Sequence, residues 1–172
     1  TVYGEPKGVK TVTEKSETQI ANSPYGNTKQ IGEEIIDDLI KSGSSLKILK
    51  LRYFNPVGAH STGLIGELPL GKPNNLLPFV TQTAIGKLEE LTVFGNDYNT
   101  PDGTCIRDYI HVCDLADAHV KSLNWLEKQD ENYTDAINIG TGKGTSVLEI
   151  IHTFEKVSEL KLNWKFGARR DG

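Results

Sequence analysis

Apolar side chains recur at helical spacing in the segment that begins at Ser23. Ser23 can cap the amino end of a helix, and Pro24 suits its first helical position. Gly43 is a natural place for such a helix to stop. The apolar residues that fall mostly on one helical face are Ile31, Ile35, Ile36, Leu39 and Ile40. The pattern therefore predicts an amphipathic helix over residues 23–43.

Short apolar runs alternate with helical patterns along the rest of the chain. Predicted strands cover residues 46–54, 91–94, 136–139 and 162–166. Predicted helices cover residues 78–87, 114–127 and 146–157. Ser146 and Glu149 form a capping-box pattern at the start of the last helix. Residues 55–75 are dense in Gly, Pro and Asn and predict a long loop. The alternation of strands and helices indicates an α/β fold with a largely parallel sheet.

The charge and length of the chain exclude several classes of function. The 172 residues suffice for one domain of ordinary size, and 37% of them are apolar. The formal net charge of −4 gives no electrostatic reason to expect nucleic acid or an anionic membrane as a partner. No apolar run approaches the ~20 residues that a membrane span requires. We therefore expect neither nucleic acid nor membrane as a partner.

The cysteines and histidines do not form a recognisable metal or disulfide pattern. Two cysteines, Cys105 and Cys113, make no disulfide framework, so a reducing, cytoplasmic setting is expected. Together with His111 and His119 they match no common zinc spacing, and no bound metal is expected. The sequence also contains no methionine and starts with Thr1, which predicts a piece of a longer protein.

The first candidate for chemistry is the pair Tyr25 and Lys29, four residues apart on the predicted helix and so on one face. An ordinary phenol keeps its proton at neutral pH, but a nearby ammonium stabilises the phenolate. The pair can therefore supply a proton acceptor and the charge that tunes it. The alternative is a chance Y-x-x-x-K spacing, with the tyrosine packed and the lysine solvated.

Several short blocks around this pair, taken in order, carry a family resemblance. They are S-P-Y-G-N-T-K (23–29), L-R-Y-F-N-P-V-G-A-H (51–60), P-N-N-L-L-P (73–78), V-F-G-N-D-Y (93–98), D-G-T-C-I-R-D-Y-I-H-V (102–112) and D-L-A (114–116). The first block resembles the active-site helix of extended short-chain dehydrogenase/reductases. The whole set resembles the UDP-glucose 4-epimerases (UDP-galactose 4-epimerases) of that family, from Thr1 to Arg170.

The resemblance implies an NAD-dependent isomerase of galactose metabolism that interconverts UDP-galactose and UDP-glucose through transient oxidation at sugar C4. By resemblance, Tyr25 would take the proton of the sugar 4-hydroxyl, Lys29 would bind the nicotinamide ribose, and Phe54 would contact the cofactor. The residues that match UDP-sugar contacts are Asn55, Asn75, Leu76, Thr92, Val93, Phe94, Arg107 and Arg170. An arginine can bind a diphosphate through two parallel hydrogen bonds. The alternative for Arg107 is a surface ion pair with Asp108.

The same resemblance implies the C-terminal portion of a Rossmann-like parallel sheet with a smaller substrate-binding α/β region. Residues 1–60 would end the NAD-binding domain, and residues 61–172 would mainly bind the UDP-sugar, with 110–125 returning to the Rossmann-like sheet. A homodimer is expected for the full-length protein. The family's glycine-rich phosphate loop has no counterpart here. Residues 140–144 fit neither common phosphate-loop pattern and are interpreted as structural.

Two other functions remain open at this point. One is a nucleotide-sugar 4,6-dehydratase or decarboxylase of the same superfamily, which would share the Tyr/Lys pair. The other is an inactive fragment or a sensor domain without cofactor binding. Because no G-x-G-x-x-G loop is present, we expect the isolated chain to be inactive and to bind NAD weakly or not at all.

Overall fold

The computed structural model describes residues 1–5 and 11–170, which contain four helices and seven strands. The helices are α1 (Pro24–Lys41), α2 (Leu76–Ala84), α3 (Val112–Leu126) and α4 (Val147–Ser158). The strands are β1 (Ile48–Tyr53), β2 (Asn55–Val57), β3 (Leu91–Phe94), β4 (Ile106–His111), β5 (Thr134–Ile139), β6 (Gly144–Ser146) and β7 (Trp164–Gly167). Within the described ranges, no helix has the length and apolar character that a bilayer crossing requires.

The chain divides into two compact units. Among the described residues, the first unit comprises 1–5, 11–54 and 114–142, and the second comprises 55–113 and 143–170, while residues 6–10 lie outside the described residues. The predicted domain division, with its boundary at residue 60, stays a prediction. Residues 171 and 172 of its second part lie outside the described residues.

The sheet of the first unit pairs β1 with β5 in parallel, in register from Ile48 opposite Thr134 to Tyr53 opposite Ile139. Parallel neighbouring strands need a long crossover connection, and residues 54–133 connect β1 to β5 along the chain. Ile139 is the buried end of β5, and its carbonyl oxygen accepts a hydrogen bond from the Phe54 amide at 3.0 Å. The predicted parallel α/β arrangement is confirmed in this sheet.

Two ion pairs fasten α1 to β1. Glu33 contacts Arg52 at 2.5 Å, and Asp37 contacts Lys50 at 2.6 Å. Four residues of helix advance ~6 Å and two residues of strand advance ~6.6 Å, so the two spacings match. The order of the pairs reverses along the strand, as expected for a helix that runs antiparallel to it. The pairs therefore fix both the register and the direction of α1 against β1.

The second unit contains two small sheets. In one, β4 lies between β2, which is parallel to it, and β6, which is antiparallel. In the other, β3 and β7 pair in parallel from Leu91 opposite Trp164 to Phe94 opposite Gly167. The sequence patterns had not predicted β2, β4 or β6, and β2 occupies the first three residues of the loop predicted over residues 55–75. The core of this unit lies between α2, β3 and α4, and its buried members are Val80, Leu91, Val93, Ile151 and Leu162.

Asp102 ties the loop before β4 to the start of α4. One carboxylate oxygen accepts hydrogen bonds from the Thr104 amide at 2.9 Å and from its hydroxyl at 2.8 Å. The other accepts from the hydroxyl of Ser146, which also accepts from the Glu149 amide at 3.0 Å. Thr104 is fully buried. Burial raises the pKa of Asp102, but the bonds from Ser146 and Thr104 outweigh it and hold the pKa below the usual 3.8.

We expect Asp102→Ala to destabilise the chain by about 1–3 kcal/mol, because it leaves the buried Thr104 groups without an acceptor. Urea unfolding at pH 7 measures this loss, and Asp130→Ala on the exposed surface is the control. A depressed folded-state pKa contributes stability that is lost as the pH falls, so the difference between parent and variant should narrow below pH ~4. Equal stability of the two variants at pH 7 would contradict this role.

Candidate active site

The amino end of α1 is built by its cap. The Ser23 hydroxyl accepts a hydrogen bond from the Gly26 amide at 3.1 Å, and Pro24 occupies the first turn, as predicted. Gly26 is buried, and a Cβ there would lie 3.3 Å from the Ala21 Cβ and 3.6 Å from the Thr1 carbonyl oxygen. The absence of a side chain at this position lets the helix start pack closely against the segment before it.

Gln30 anchors the same turn from the other side. Its amide nitrogen donates to the Val2 carbonyl oxygen at 2.8 Å and to the Gln19 carbonyl oxygen at 2.6 Å. The two side-chain amide hydrogens of Gln30 therefore bind two separate backbone segments, at Val2 and at Gln19. Gln30 was not among the residues predicted from the sequence to serve the site. The only sequence signal was its place one residue after Lys29, off the apolar face of the helix.

Tyr25 and Lys29 lie together on the exposed side of α1. The Lys29 ammonium lies 5.0 Å from the centre of the Tyr25 ring, and 65% of Tyr25 is exposed. Within residues 1–5 and 11–170, neither the tyrosine hydroxyl nor the ammonium makes a hydrogen bond or an ion pair with another residue. The phenol and the ammonium thus lie close together, as predicted, and the polar atoms of both side chains are available to a ligand.

These free polar atoms fit the ribose end of a dinucleotide. A lysine ammonium offers three donors, and a tyrosine hydroxyl can donate or accept, which suits a pair of ribose hydroxyls. Phe54 follows directly after β1 and is half-buried. The residues that the resemblance assigned to the cofactor, Tyr25, Lys29 and Phe54, all belong to the first unit.

A cleft of about 370 Å³ opens within the second unit. Three of the predicted substrate residues line it, namely Asn55 at the start of β2, Asn75 at the amino cap of α2, and Leu76. The predicted helix of residues 78–87 begins two residues earlier than expected, and this places Asn75 and Leu76 at its amino end. Residues of the Gly/Pro-rich loop, among them Gly58 and Glu67, complete the wall.

Tyr109 also lines the cleft, although it was not predicted from the sequence as a site residue. It lies on β4, two residues from Arg107 and therefore on the same face of the strand. Burial raises the pKa of the Tyr109 hydroxyl, and the nearby Arg107 guanidinium opposes that shift. The alternation of Arg107, Tyr109 and His111 was the available signal, but β4 had not been predicted as a strand.

Gly58 allows the loop to approach β4. Its φ of +93° lies in the region that favours glycine, and a Cβ there would lie 2.6 Å from the His111 ring. Both the backbone conformation and the close approach therefore require glycine. This requirement fixes the cleft wall next to Val57.

Strand β3 presents one open backbone edge. The Leu91 amide donates to the carbonyl oxygen of Asn163, just before β7, and the Gly95 amide donates to the carbonyl oxygen of Gly167 in β7, at 2.9 Å each. Because alternate residues point to opposite edges, the backbone groups of Thr92 and Phe94 point away from β7. No other described strand pairs with β3. The amide and carbonyl groups of these two residues are therefore placed to bind a planar amide group of a ligand.

The remaining predicted substrate residues are distributed over the same unit. The Val93 side chain is 2% exposed and belongs to the core, so only its backbone could reach a ligand. The Arg170 guanidinium lies 5.3 Å from the centre of the Phe94 ring. Arg107 donates from Nη1 to the Ile106 carbonyl oxygen at 2.8 Å. The structure thus groups Asn55, Asn75 and Leu76 in the cleft, and pairs Phe94 with Arg170.

Comparison with known proteins gives consistent results. Residues 1–140 match the NAD dependent epimerase/dehydratase family. A UDP-glucose 4-epimerase of Drosophila melanogaster is 51% identical over 172 residues, which are 100% of this chain and 49% of that protein. A UDP-glucose 4-epimerase 1 of Oryza sativa subsp. japonica is 54% identical over 173 residues, covering 100% of this chain and 48% of that protein. The chain thus spans about half the length of the curated relatives it matches.

A solved structure shows the same likeness. The crystal structure of UDP-glucose 4-epimerase from Bifidobacterium longum in complex with NAD+ and UDP has a TM-score of 0.93 and 46% identity, covering 99% of this chain and 50% of that chain. The expected fold class, an α/β chain with part of a Rossmann-like parallel sheet, is confirmed by this likeness. The sequence match, the fold and the Tyr25–Lys29 helix lead to one conclusion: the chain belongs to the NAD dependent epimerase/dehydratase family.

Proposed function

We propose that this chain carries the proton-transfer and UDP-sugar-binding residues of an enzyme that interconverts UDP-galactose and UDP-glucose. The observation that carries the proposal is the proximity of the Lys29 ammonium to the Tyr25 ring, 5.0 Å, on an exposed helix face. Relatives named UDP-glucose 4-epimerase, with 51% and 54% sequence identity to this chain, support the substrate class. The tightly capped start of α1 supports a fixed position for the pair.

In this proposal Tyr25 is the acid–base group. Its phenolate takes the proton of the sugar 4-hydroxyl, and the phenol so formed later returns a proton to the same oxygen. Lys29 stabilises the phenolate through its charge and donates hydrogen bonds to a cofactor ribose. NAD, when bound, would supply the reversible hydride transfer at sugar C4 that the interconversion requires. Phe54 would contact the cofactor from the end of β1.

The second unit would hold the nucleotide part of the substrate. Arg107 and Arg170 would bind the diphosphate through charge-assisted hydrogen bonds. The open backbone edge at Thr92 and Phe94 would bind the amide edge of uracil. Asn55, Asn75 and Leu76 would line the place of the sugar, because the cleft around them offers amides and apolar surface but no cation among its described residues.

We also infer the wider setting of the enzyme. Residues 1–60 would serve the cofactor side, residues 61–172 mainly the UDP-sugar side, and 110–125 the Rossmann-like sheet. A cytoplasmic location is supported by two free cysteines, Cys105 and Cys113. A homodimer is supported by an exposed apolar stripe on α1 formed by Ile31, Ile35 and Leu39.

The activity is tested in a chimera in which this chain replaces the matched segment of the Drosophila melanogaster relative. We expect the chimera to convert UDP-galactose to UDP-glucose, and Tyr25→Phe to lower kcat by about 100-fold or more with little change in KM, because proton transfer is lost. A coupled assay for UDP-glucose measures both constants.

Tyr133→Phe is the matched control, since it removes a phenolic hydroxyl that lies far along the chain from α1. Unchanged kcat in Tyr25→Phe would remove Tyr25 from the proposed mechanism. Release of a 4-keto-6-deoxy sugar from the unsubstituted chimera would favour the dehydratase instead.

The isolated chain gives a separate prediction about the cofactor. Tyr25 and Lys29 offer only the ribose contacts, and the sequence contains no G-x-G-x-x-G loop for the pyrophosphate. We expect titration calorimetry of the 172-residue chain to detect no micromolar binding of NAD. Micromolar affinity would mean that another part of this chain holds the pyrophosphate.

A further inference from the structure

Glu67 brings a carboxylate into the wall of the cleft. Its Oε1 atom accepts a hydrogen bond from the Asn75 side-chain amide at 2.7 Å, and both residues line the cleft. Asn75 occupies the amino-cap position of α2, yet its side chain makes no capping hydrogen bond. An Asn at this position ordinarily accepts a hydrogen bond from a helix amide through its side-chain oxygen. Here the side-chain nitrogen of Asn75 donates to Glu67 instead. This hydrogen bond links the Glu67 carboxylate to the amino end of α2.

This carboxylate determines the charge of the cleft. Among the described residues that line it, Glu67 alone carries a formal charge. The amino end of α2 contributes an opposing partial charge of about +0.5, which a full carboxylate charge exceeds. An anionic group that entered the cleft would thus meet net repulsion, whereas a neutral, hydroxyl-bearing group would find hydrogen-bond acceptors.

The position of Arg107 indicates which part of a nucleotide sugar enters. Arg107 and Tyr109 share one face of β4 and lie ~7 Å apart along it, and only Tyr109 lines the cleft. A diphosphate held by Arg107 would therefore stay outside the cleft and direct the attached sugar toward Tyr109 and Glu67. This step rests on the proposed binding of UDP-sugars.

We propose that Glu67 is a specificity-determining residue that admits neutral UDP-hexoses and excludes UDP-sugars whose hexose carries a carboxylate. The hydrogen bond from Asn75 holds the excluding charge at the sugar position. A carboxylate on the sugar would approach this charge within several ångströms in a partly exposed site. Like charges at that range weaken binding by about fivefold to tenfold at low salt.

The test is titration calorimetry of the 172-residue chain with UDP, UDP-glucose and UDP-glucuronic acid at low salt. We expect UDP-glucuronic acid to bind about fivefold to tenfold more weakly than UDP-glucose. Glu67→Gln keeps an oxygen that can accept from Asn75 but removes the charge, so the ratio of the two dissociation constants should fall by about fivefold. Glu131→Gln, which removes an equal charge from an exposed position outside the cleft, should leave the ratio unchanged.

A salt series on the unsubstituted chain tests the same proposal without any variant. Raising the salt concentration screens charge repulsion, so the ratio should fall toward that of Glu67→Gln. An equal ratio in the parent chain and Glu67→Gln, or a ratio that does not respond to salt, would overturn the inference while leaving UDP binding intact. Failure of the chain to bind UDP itself would instead contradict the proposed function, and the inference with it.

Discussion

The first unit depends on the hydrogen bonds that the Arg52 guanidinium donates. Two of its nitrogens donate to the Glu33 carboxylate, at 2.8 and 2.5 Å, and a third donates to the Tyr3 hydroxyl at 2.9 Å. Tyr3 in turn donates to Asn138 at 2.6 Å. The bond with Glu33 holds the pKa of Arg52 above its usual range despite partial burial. One side chain on β1 thereby joins α1, β5 and the first residues of the chain, and α1 carries the proposed acid–base pair.

Polar contacts have different roles in the two units. In the first they fasten a helix on which Tyr25 and Lys29, the proposed acid–base pair, make no hydrogen bond or ion pair through their side-chain polar atoms among the described residues. In the second, Asp102 fixes the start of α4, whereas Glu67 lines a cleft and accepts a hydrogen bond from Asn75. Satisfied polar groups that are removed from solvent stabilise the fold, while polar groups left facing open space are available for ligands.

Local signals in the sequence predicted local structure well. The Ser23 cap and the Ser146–Glu149 capping box were readable because their partners lie three residues away. Strand β6 was not predicted because it is only three residues long and forms by pairing with β4. The paired residues are far apart in the sequence, since Ile106 and Ser146 are separated by forty positions. The motif resemblance supplied Asn55 and Asn75 but not Glu67, whose proposed role follows from its hydrogen bond with Asn75. The partners of Arg52 lie so far along the chain that no periodicity could indicate them.

The Arg52–Glu33 pair holds α1, and with it Tyr25 and Lys29, on β1. A double-mutant cycle of Arg52→Met and Glu33→Gln, with urea unfolding of the four proteins, measures the free energy that this pair contributes. The pair is bidentate and largely shielded from solvent, so a coupling free energy of about 1–3 kcal/mol is predicted. Additive effects, with a coupling below about 0.3 kcal/mol, would contradict it.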